Sequence, residues 1–358
     1  MSLTDLRTTR MNCYVDDPSI LLYGNPRTVK RTVARLVGSW LALGFRMAFA
    51  KAVLQGFRGM ATWTSARYSI LHDAVLVQVK PQIVDDLVKQ LDTIDAKNKV
   101  TEKSLREFLG RANCICGLIV IWRPFVDMVW AALLNKDARG RAGKGKIWTK
   151  ALRIPFAWFR AFLRSEEQGM TRQYTLDAYL RRGIKLRITC DASPWAVGAY
   201  LIINDVVVEY LHEPISHTDA SIMNCEIGSC KSQQAFESFA LLLALRTWCS
   251  YWRKARMVLT VRSDSVAALT MLLKMKSAGN SPAVVARELA IFMSKACYIP
   301  EVVERLPGVA NTLADLLSRW HEPGKQHSER PLPAMLQCAS LRISPPRSRQ
   351  WWHSLDPP

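Results

Sequence analysis

Residues 184–203 read IKLRITCDASPWAVGAYLII and predict a strand ending at Asp191, a tight turn and a second strand. A third strand, VVVEYLHEPI, follows at 206–215. Helices and strands then alternate, with helices over 232–252, 266–276, 284–298 and 311–320 and strands over 256–265 and 299–308. Strands first, followed by alternation with helices, predict a mixed α/β domain.

Composition narrows the function classes. Lys and Arg number 49 against 30 Asp and Glu in 358 residues, a net charge of +19. This excess favours a polyanion such as nucleic acid, although a merely soluble basic protein or one facing an anionic membrane has the same balance. The nine cysteines contain no CxxC pair, which indicates reduced thiols and no structural zinc. The longest apolar run is too short to span a bilayer, and MSLTDLRTTR is no signal peptide, so we expect an intracellular protein, cytoplasmic or nuclear.

Four carboxylates are placed so that they can reach one point. Asp191 ends the first strand, Glu237 lies in the long helix, Asp264 ends the fourth strand and Asp315 lies in the last helix. Converging carboxylates raise one another's pKa unless cations neutralise them. Hard oxygen ligands suit Mg²⁺ or Mn²⁺, and two such ions about 4 Å apart can activate water against a phosphodiester. A two-metal hydrolytic site is therefore predicted.

The order of these acids resembles the ribonuclease H family. The matching stretches are TCDASPWAVGAYL (189–201), QQAFESFALLLALRTW (233–248), VRSDSVAALTML (261–272) and LPGVANTLADLLSRW (306–320). The last is similar to the G-x-x-N-x-x-A-D-x-L-S-R signature that ends retroelement ribonuclease H domains. The resemblance covers about 183–320. It implies a five-stranded mixed sheet with helices, two metal ions held by the four acids, and cleavage of the RNA strand of an RNA–DNA hybrid.

Each acid also has a simpler interpretation. Asp191 can be a structural residue of a DAS turn, and Asp264 can cap the helix that follows it. Asp315 can be a polar residue at a helix end. Glu237 can be an exposed helix acid, with Glu226 in the preceding loop as a competitor for its role. The case for catalysis depends on all four occurring in the right order.

A second motif lies near the N-terminus, where residues 13–24 read CYVDDPSILLYG. It resembles the Y-x-D-D hairpin of reverse transcriptases, which implies metal binding by Asp16 and Asp17 and nucleic-acid contact by Tyr14. The downstream order is also similar: a helix over 28–41, then LGF, Lys51 as a further nucleic-acid contact, and RGMATWTSARYSI at 58–70. The resemblance is thus to a retroelement reverse transcriptase/ribonuclease H polyprotein.

The polymerase part departs from this family pattern. Family members place a further metal-binding Asp and the fingers well upstream of the hairpin, whereas twelve residues precede Cys13 and Asp5 is their one acid. We therefore expect no RNA-directed DNA polymerase activity from this chain. The expected partners are RNA–DNA hybrid and the missing upstream part of the polyprotein. A membrane is not an expected partner.

The predicted domains are a partial palm (1–80), a helical thumb- or connection-like region (81–182), a ribonuclease H-like domain (183–322) and a mobile Pro/Arg-rich tail (323–358). The basic loop 135–150 is expected to bind nucleic acid through Arg139, Arg141, Lys144, Lys146 and Trp148. Trp158 and Arg160 can add to this surface. A solvated linker and a packed core are equally compatible with the same residues.

Other function classes remain open at this point. The main alternative is a catalytically inactive, nucleic-acid-binding remnant of a retroelement, which would not bind two metal ions. An integrase-like or Holliday-junction nuclease normally uses three acids and lacks the ADxLSR ending. A structural scaffold has no need of buried acids.

Overall fold

The computed structural model describes the following residues: 9–14, 17–22, 24–47, 49, 58–60, 64–69, 74–117, 119–135, 142–164, 170–175, 183–252, 257–277, 279–294, 302–324 and 332–357. The chain divides into two compact units, Met1–Gln55 and Gly56–Pro358. Among the described residues, no helix is both long enough and apolar enough to cross a membrane.

The first unit contains the predicted hairpin. Strand β1 (Thr9–Tyr14) pairs antiparallel with β2 (Asp17–Leu22), and Tyr14 lies opposite Asp17. Pro18 lies in β2, and a two-stranded sheet tolerates its missing N–H because both strands are edges. Helix α1 (Pro26–Ala42) follows; it begins at Asn25, whose side chain accepts a hydrogen bond from the backbone N–H of Thr28 (2.9 Å).

The second unit begins with a small antiparallel sheet and a helical region. The sheet has the strand order β3 (Arg58–Met60), β4 (Thr64–Ser69), β5 (Ala74–Val79) and β8 (Thr171–Thr175). The helical region comprises α2 (Pro81–Asp95), α3 (Glu102–Cys116), α4 (Arg123–Leu134), α5 (Arg153–Leu163) and the strand pair β6 (Lys99–Thr101) and β7 (Lys146–Trp148). Its core is aromatic: Trp122, Phe125 and Phe162 are fully buried, and the ring of Phe162 contacts the rings of the other two.

The larger sheet carries the region of the four acids. Its strand order is β13 (Val302–Arg305), β12 (Met257–Ser263), β9 (Ile184–Ala192), β10 (Ala196–Ile203), β11 (Val206–Pro214) and β14 (Ser340–Leu341). The strands β9, β10 and β11 form an antiparallel meander, while β12 runs parallel to β9 and β13 parallel to β12. The predicted mixed α/β fold is confirmed. The five predicted strands gain a sixth, β14, from the C-terminal segment.

Helices cover this sheet. They are α6 (His217–Met223), α7 (Gln233–Thr247), α8 (Cys249–Trp252), α9 (Val266–Lys274), α10 (Asn280–Ser294) and α11 (Thr312–Ser318). Helix α7 contacts β9, β10 and α10, and most of its side chains are buried, as its apolar sequence predicts. Helix α11 crosses β9 and β10.

The C-terminal segment, defined here as residues 332–357, packs on this domain, where the sequence predicts a mobile tail. Trp352 is fully buried and stacks on Phe239 of α7 (5.6 Å between ring centroids). Arg347 donates hydrogen bonds to Asp219 (2.8 Å) and Glu213 (3.0 Å). The Pro- and Arg-rich composition predicted mobility, yet the same segment supplies a large apolar ring and the counter-ion of a buried acid.

Candidate active site

The register of the parallel strands brings two of the predicted acids to one edge of the sheet. Strands β9 and β12 pair through Thr189 and Arg262, and Asp191 and Asp264 each lie two residues further along. Asp191 is buried at 7% exposure. Asp264 is half-buried, and its Oδ1 atom is buried without a hydrogen-bond partner among the described residues.

Helix α7 supplies the third acid. Gln233, in its first turn, donates a hydrogen bond from Nε2 to the carbonyl of Ala192 (2.5 Å) at the end of β9. The same Nε2 lies 3.3 Å from Oε1 of Glu237, one turn along the helix. Gln233 thus ties the helix to the strand end and holds Glu237. The competing acid, Glu226, lies in the loop after α6, where its backbone N–H donates to Ser232.

Helix α11 supplies the fourth acid and lies directly on the sheet. Gly198 of β10 permits this contact, because a Cβ atom there would lie 2.6 Å from the backbone carbon of Leu317 and closer still to Ser318 N and Ala314 O. Ser193 anchors the helix end, since its Oγ donates to the carbonyl of Ser318 (2.6 Å). Asp315 is about half exposed on this helix.

Ser318 joins the helix to the first acid. Its side chain is fully buried, and its Oγ lies 2.7 Å from Oδ2 of Asp191, to which it donates a hydrogen bond. Its neighbour Arg319 donates from Nε to Oδ1 of Asp315 (2.8 Å). Two consecutive residues therefore contact two of the four acids.

The residues that directly follow α11 contact strand β11 through their rings. The ring of Trp320 stacks on His212 of β11 (5.0 Å between centroids), and Nδ1 of His212 is hydrogen-bonded to Nε2 of His321 (3.1 Å). Burial first, and then the neighbouring His321, lower the pKa of His212 to about 4, against a smaller opposite effect of Glu213. A neutral His212 is therefore the form that these contacts require near neutral pH.

The electrostatics of Asp191 connect all four acids. Burial raises the pKa of Asp191 to about 7, and the charges of Asp264, Asp315 and Glu237 add to this effect. The hydrogen bond from Ser318 acts in the opposite direction. The structure thus places the other three predicted acids within electrostatic range of Asp191.

The donor set fits a hard divalent cation in its chemistry. It consists of carboxylates, and one oxygen of Asp264 is buried without a hydrogen-bond partner among the described residues. Burial first, and then repulsion from the neighbouring acids, raise the pKa of Asp191. Among the described residues, however, no three His, Cys, Asp or Glu side chains are arranged to hold a metal ion as they stand. Asp315 instead pairs with Arg319.

The predicted polymerase residues are described only in part. Asp16 and Lys51 lie outside the described residues, and for Tyr14 and Asp17 the structure gives the paired backbone of the hairpin alone.

The predicted basic loop is described in part. Arg139 and Arg141 lie outside the described residues, whereas Lys144 is in an exposed turn and Lys146 and Trp148 are in β7. Trp148 is 39% exposed, and the ammonium group of Lys99 lies 4.2 Å from the centre of its ring. A small cationic surface around an exposed indole is therefore present.

Two further residues expected at this surface have other contacts. Trp158 is buried in the aromatic core, where its Nε1 donates to the carbonyl of Ser354 (3.1 Å). Arg160 forms ion pairs with Asp92 and Asp95. For Trp158 the packed-core interpretation is the correct one.

Three residues of the site were not predicted from the sequence: Gln233, Gly198 and Ser318. Gln233 precedes Glu237 by one helical turn, a spacing that allows contact. Gly198 interrupts the apolar strand AVGAYLII, and a glycine inside a strand often marks the close approach of another backbone. Ser318 belongs to the quoted ADLLSR stretch, but its sequence position alone does not indicate a partner.

Comparisons with known proteins give a distant structural similarity. No protein-family model matches the chain, and no curated protein matches it. Solved structures that match include the foamy viral protease-reverse transcriptase in complex with an RNA/DNA hybrid, at 12% identity and a TM-score of 0.33, covering 84% of this chain and 36% of that one. The same enzyme in complex with double-stranded DNA matches at 10% identity and a TM-score of 0.31, covering 83% and 54%. This chain thus spans about half or less of the length of those proteins.

Proposed function

We propose that this chain hydrolyses the RNA strand of RNA–DNA hybrids at the site formed by Asp191, Glu237, Asp264 and Asp315. The observation that carries the proposal is the environment of Asp191. This buried carboxyl has a pKa raised to about 7 by burial and by three acids that come from three other elements. Such a cluster is unfavourable for folding alone and is typical of a site that binds cations.

The chain's own residues have separate roles in this proposal. The four carboxylates would hold two Mg²⁺ or Mn²⁺ ions, with Gln233 and Ser318 orienting Glu237 and Asp191. The ions, when bound, supply an activated water and charge stabilisation at the scissile phosphodiester. Arg319 would release Asp315 when a cation takes its place, at low cost because the pair is about half exposed.

Binding of the hybrid would depend on cationic side chains. Lys144 and Lys146 precede Trp148 in the sequence, and Lys99 lies over its ring. Ammonium groups neutralise phosphates without reading sequence, which suits an enzyme acting on hybrids in general. With the net charge of +19, this predicts that affinity falls steeply as salt rises.

The test is cleavage of an RNA–DNA hybrid labelled on the RNA strand, over a titration of Mg²⁺. We expect Mg²⁺-dependent cleavage that EDTA abolishes and that Asp191→Asn removes. The matched control is Glu226→Gln, which neutralises an acid of the same domain in a loop and should cleave like the wild type. Labelled single-stranded RNA of the same sequence serves as the control for contaminating ribonuclease.

A second candidate is a catalytically inactive protein that binds nucleic acid. The ion pair between Arg319 and Asp315 favours it, as does the lack of three ligands arranged for one ion among the described residues. Calorimetry with Mn²⁺ separates the two candidates. Binding of two ions supports the hydrolase, whereas hybrid binding without cleavage and without Mn²⁺ uptake would leave the inactive protein.

A further inference from the structure

Ser318 has a contact that its place in the fold does not require. It is the last residue of α11, fully buried, and its Oγ lies within 2.7 Å of Asp191 Oδ2 and 2.9 Å of the carbonyl of Asp315. A serine near a helix end can satisfy its hydroxyl on its own helix, as the second distance allows. The contact to the Asp191 carboxyl group is the shorter of the two.

The surroundings of Ser318 hold it rigidly. Its backbone lies against Gly198 of β10, at a distance that leaves no room for a Cβ atom there. Its carbonyl accepts a hydrogen bond from Ser193, whose Oγ in turn accepts from the N–H groups of Trp195 and Ala196 (3.1 Å each). The hydroxyl of Ser318 is thus aimed at Asp191 by a backbone fixed on both sides.

We propose that Ser318 is a positioning residue: its hydroxyl fixes the Asp191 carboxylate through Oδ2 and so orients Asp191 to hold a divalent cation together with the other acids of the site. This inference rests on the proposed function. Ser318 and Asp315 lie three residues apart on the seven-residue helix α11. The contact between Ser318 and Asp191 therefore sets the spacing between Asp191 on the sheet and Asp315 on the helix. Ser318 acts through Asp191 and does not itself contact substrate.

The neighbouring Ser193 provides a matched comparison. Both serines are buried, both bond to their surroundings through Oγ, and both link α11 to the β9–β10 turn. Only the Ser318 bond ends on a carboxylate of the site. Removing either hydroxyl loosens the docking of α11, so a larger effect of Ser318→Ala than of Ser193→Ala isolates the contribution of the bond to Asp191.

The experiment compares Ser318→Ala, Ser193→Ala and Ser318→Thr in the full chain. Hybrid cleavage is measured over a Mg²⁺ titration, and Mn²⁺ binding by calorimetry. Groups that orient metal ligands typically contribute about 10–100-fold to metal affinity. We expect Ser318→Ala to raise the half-maximal Mg²⁺ concentration and the Mn²⁺ Kd by that factor. Ser193→Ala should give a smaller increase, because it loosens the docking of α11 but leaves the bond between Ser318 and Asp191 in place. Ser318→Thr, which restores the hydroxyl, should return towards the wild-type values.

Each outcome bears on the inference. Wild-type Mg²⁺ and Mn²⁺ dependence in Ser318→Ala would overturn it. An equal shift in Ser193→Ala would also overturn it, because docking of α11 in general would then be the cause. Urea unfolding of each variant shows whether activity is lost because the protein no longer folds. For such a variant, the Mn²⁺ Kd of the folded fraction tests the role of Ser318. A wild-type protein that neither cleaves hybrid nor binds Mn²⁺ would instead refute the proposed function, and with it the role of Ser318.

Discussion

Replacing Gly198 by Ala should displace the helix that carries Asp315. The new Cβ would meet three backbone atoms of α11, at 2.6 Å or less, where ordinary contact begins at 3.4 Å. Backbone atoms cannot rotate away as a flexible side chain can, so either α11 or β10 must move. Inserting a methyl group into such a packed contact typically costs about 1–3 kcal/mol. That loss outweighs the roughly 0.5–1 kcal/mol by which Ala is otherwise preferred to Gly inside a strand.

Urea unfolding followed by tryptophan fluorescence measures this loss. The matched control is Gly110→Ala in α3, where a Cβ atom would meet nothing within 4 Å. That variant should gain about 0.5–1 kcal/mol from helix propensity. A displacement of about 1 Å at reacting groups can cost on the order of 10²-fold in rate. Hybrid cleavage by the folded Gly198→Ala protein should therefore fall by a similar factor. A Gly198→Ala protein as stable as the wild type would refute the docking described for α11.

Two more predictions concern the C-terminal segment and the stability of the protein at acidic pH. Arg347→Ala should lower the free energy of unfolding in urea by about 3–5 kcal/mol, because it leaves Asp219, at 0% exposure, without its counter-ion. The control Arg349→Ala breaks an exposed ion pair and should change this free energy by less than about 1 kcal/mol. His212 has a folded pKa of about 4 and an ordinary value of 6.5, so it contributes stability that is fully present above pH 6.5 and is lost as the pH falls towards 4. The free energy of unfolding is measured against pH for the wild type and for His212→Phe, and the difference between the two cancels the opposite pH dependence of Asp191. This difference should change between pH 6.5 and pH 4. A difference that does not depend on pH would contradict the prediction.

The sequence predicted the order of the four acids and the elements that bear them, because strand and helix periodicity is local information. It also predicted the β1–β2 hairpin, in which Asp17 begins the second strand. These features depend on residues close together along the chain. The convergence of Asp191 and Asp264 needed only the added rule that parallel strands end at the same edge.

Contacts between residues far apart in the sequence could not be predicted from local sequence patterns. Nothing local relates Ser318 to Asp191, 127 residues earlier, or Trp158 to Ser354, 196 residues later. The C-terminal segment illustrates the same difficulty. Composition averaged over 323–358 is that of a tail, whereas its packing depends on single residues, Arg347 and Trp352, that meet buried partners.

The packing of the C-terminal segment decides where this domain can be cut. Glu288 is fully buried and pairs with Arg246, but it also accepts hydrogen bonds from the backbone N–H groups of His353 and Ser354. A fragment ending at Glu322, the predicted end of the ribonuclease H-like domain, would remove donors from Glu288 and the counter-ion from Asp219. Asp219 would then lack its counter-ion, Glu288 would keep Arg246 as its ion-pair partner, and the apolar face beneath Trp352 would be open to self-association. Expression of the isolated domain should therefore retain the chain through residue 357.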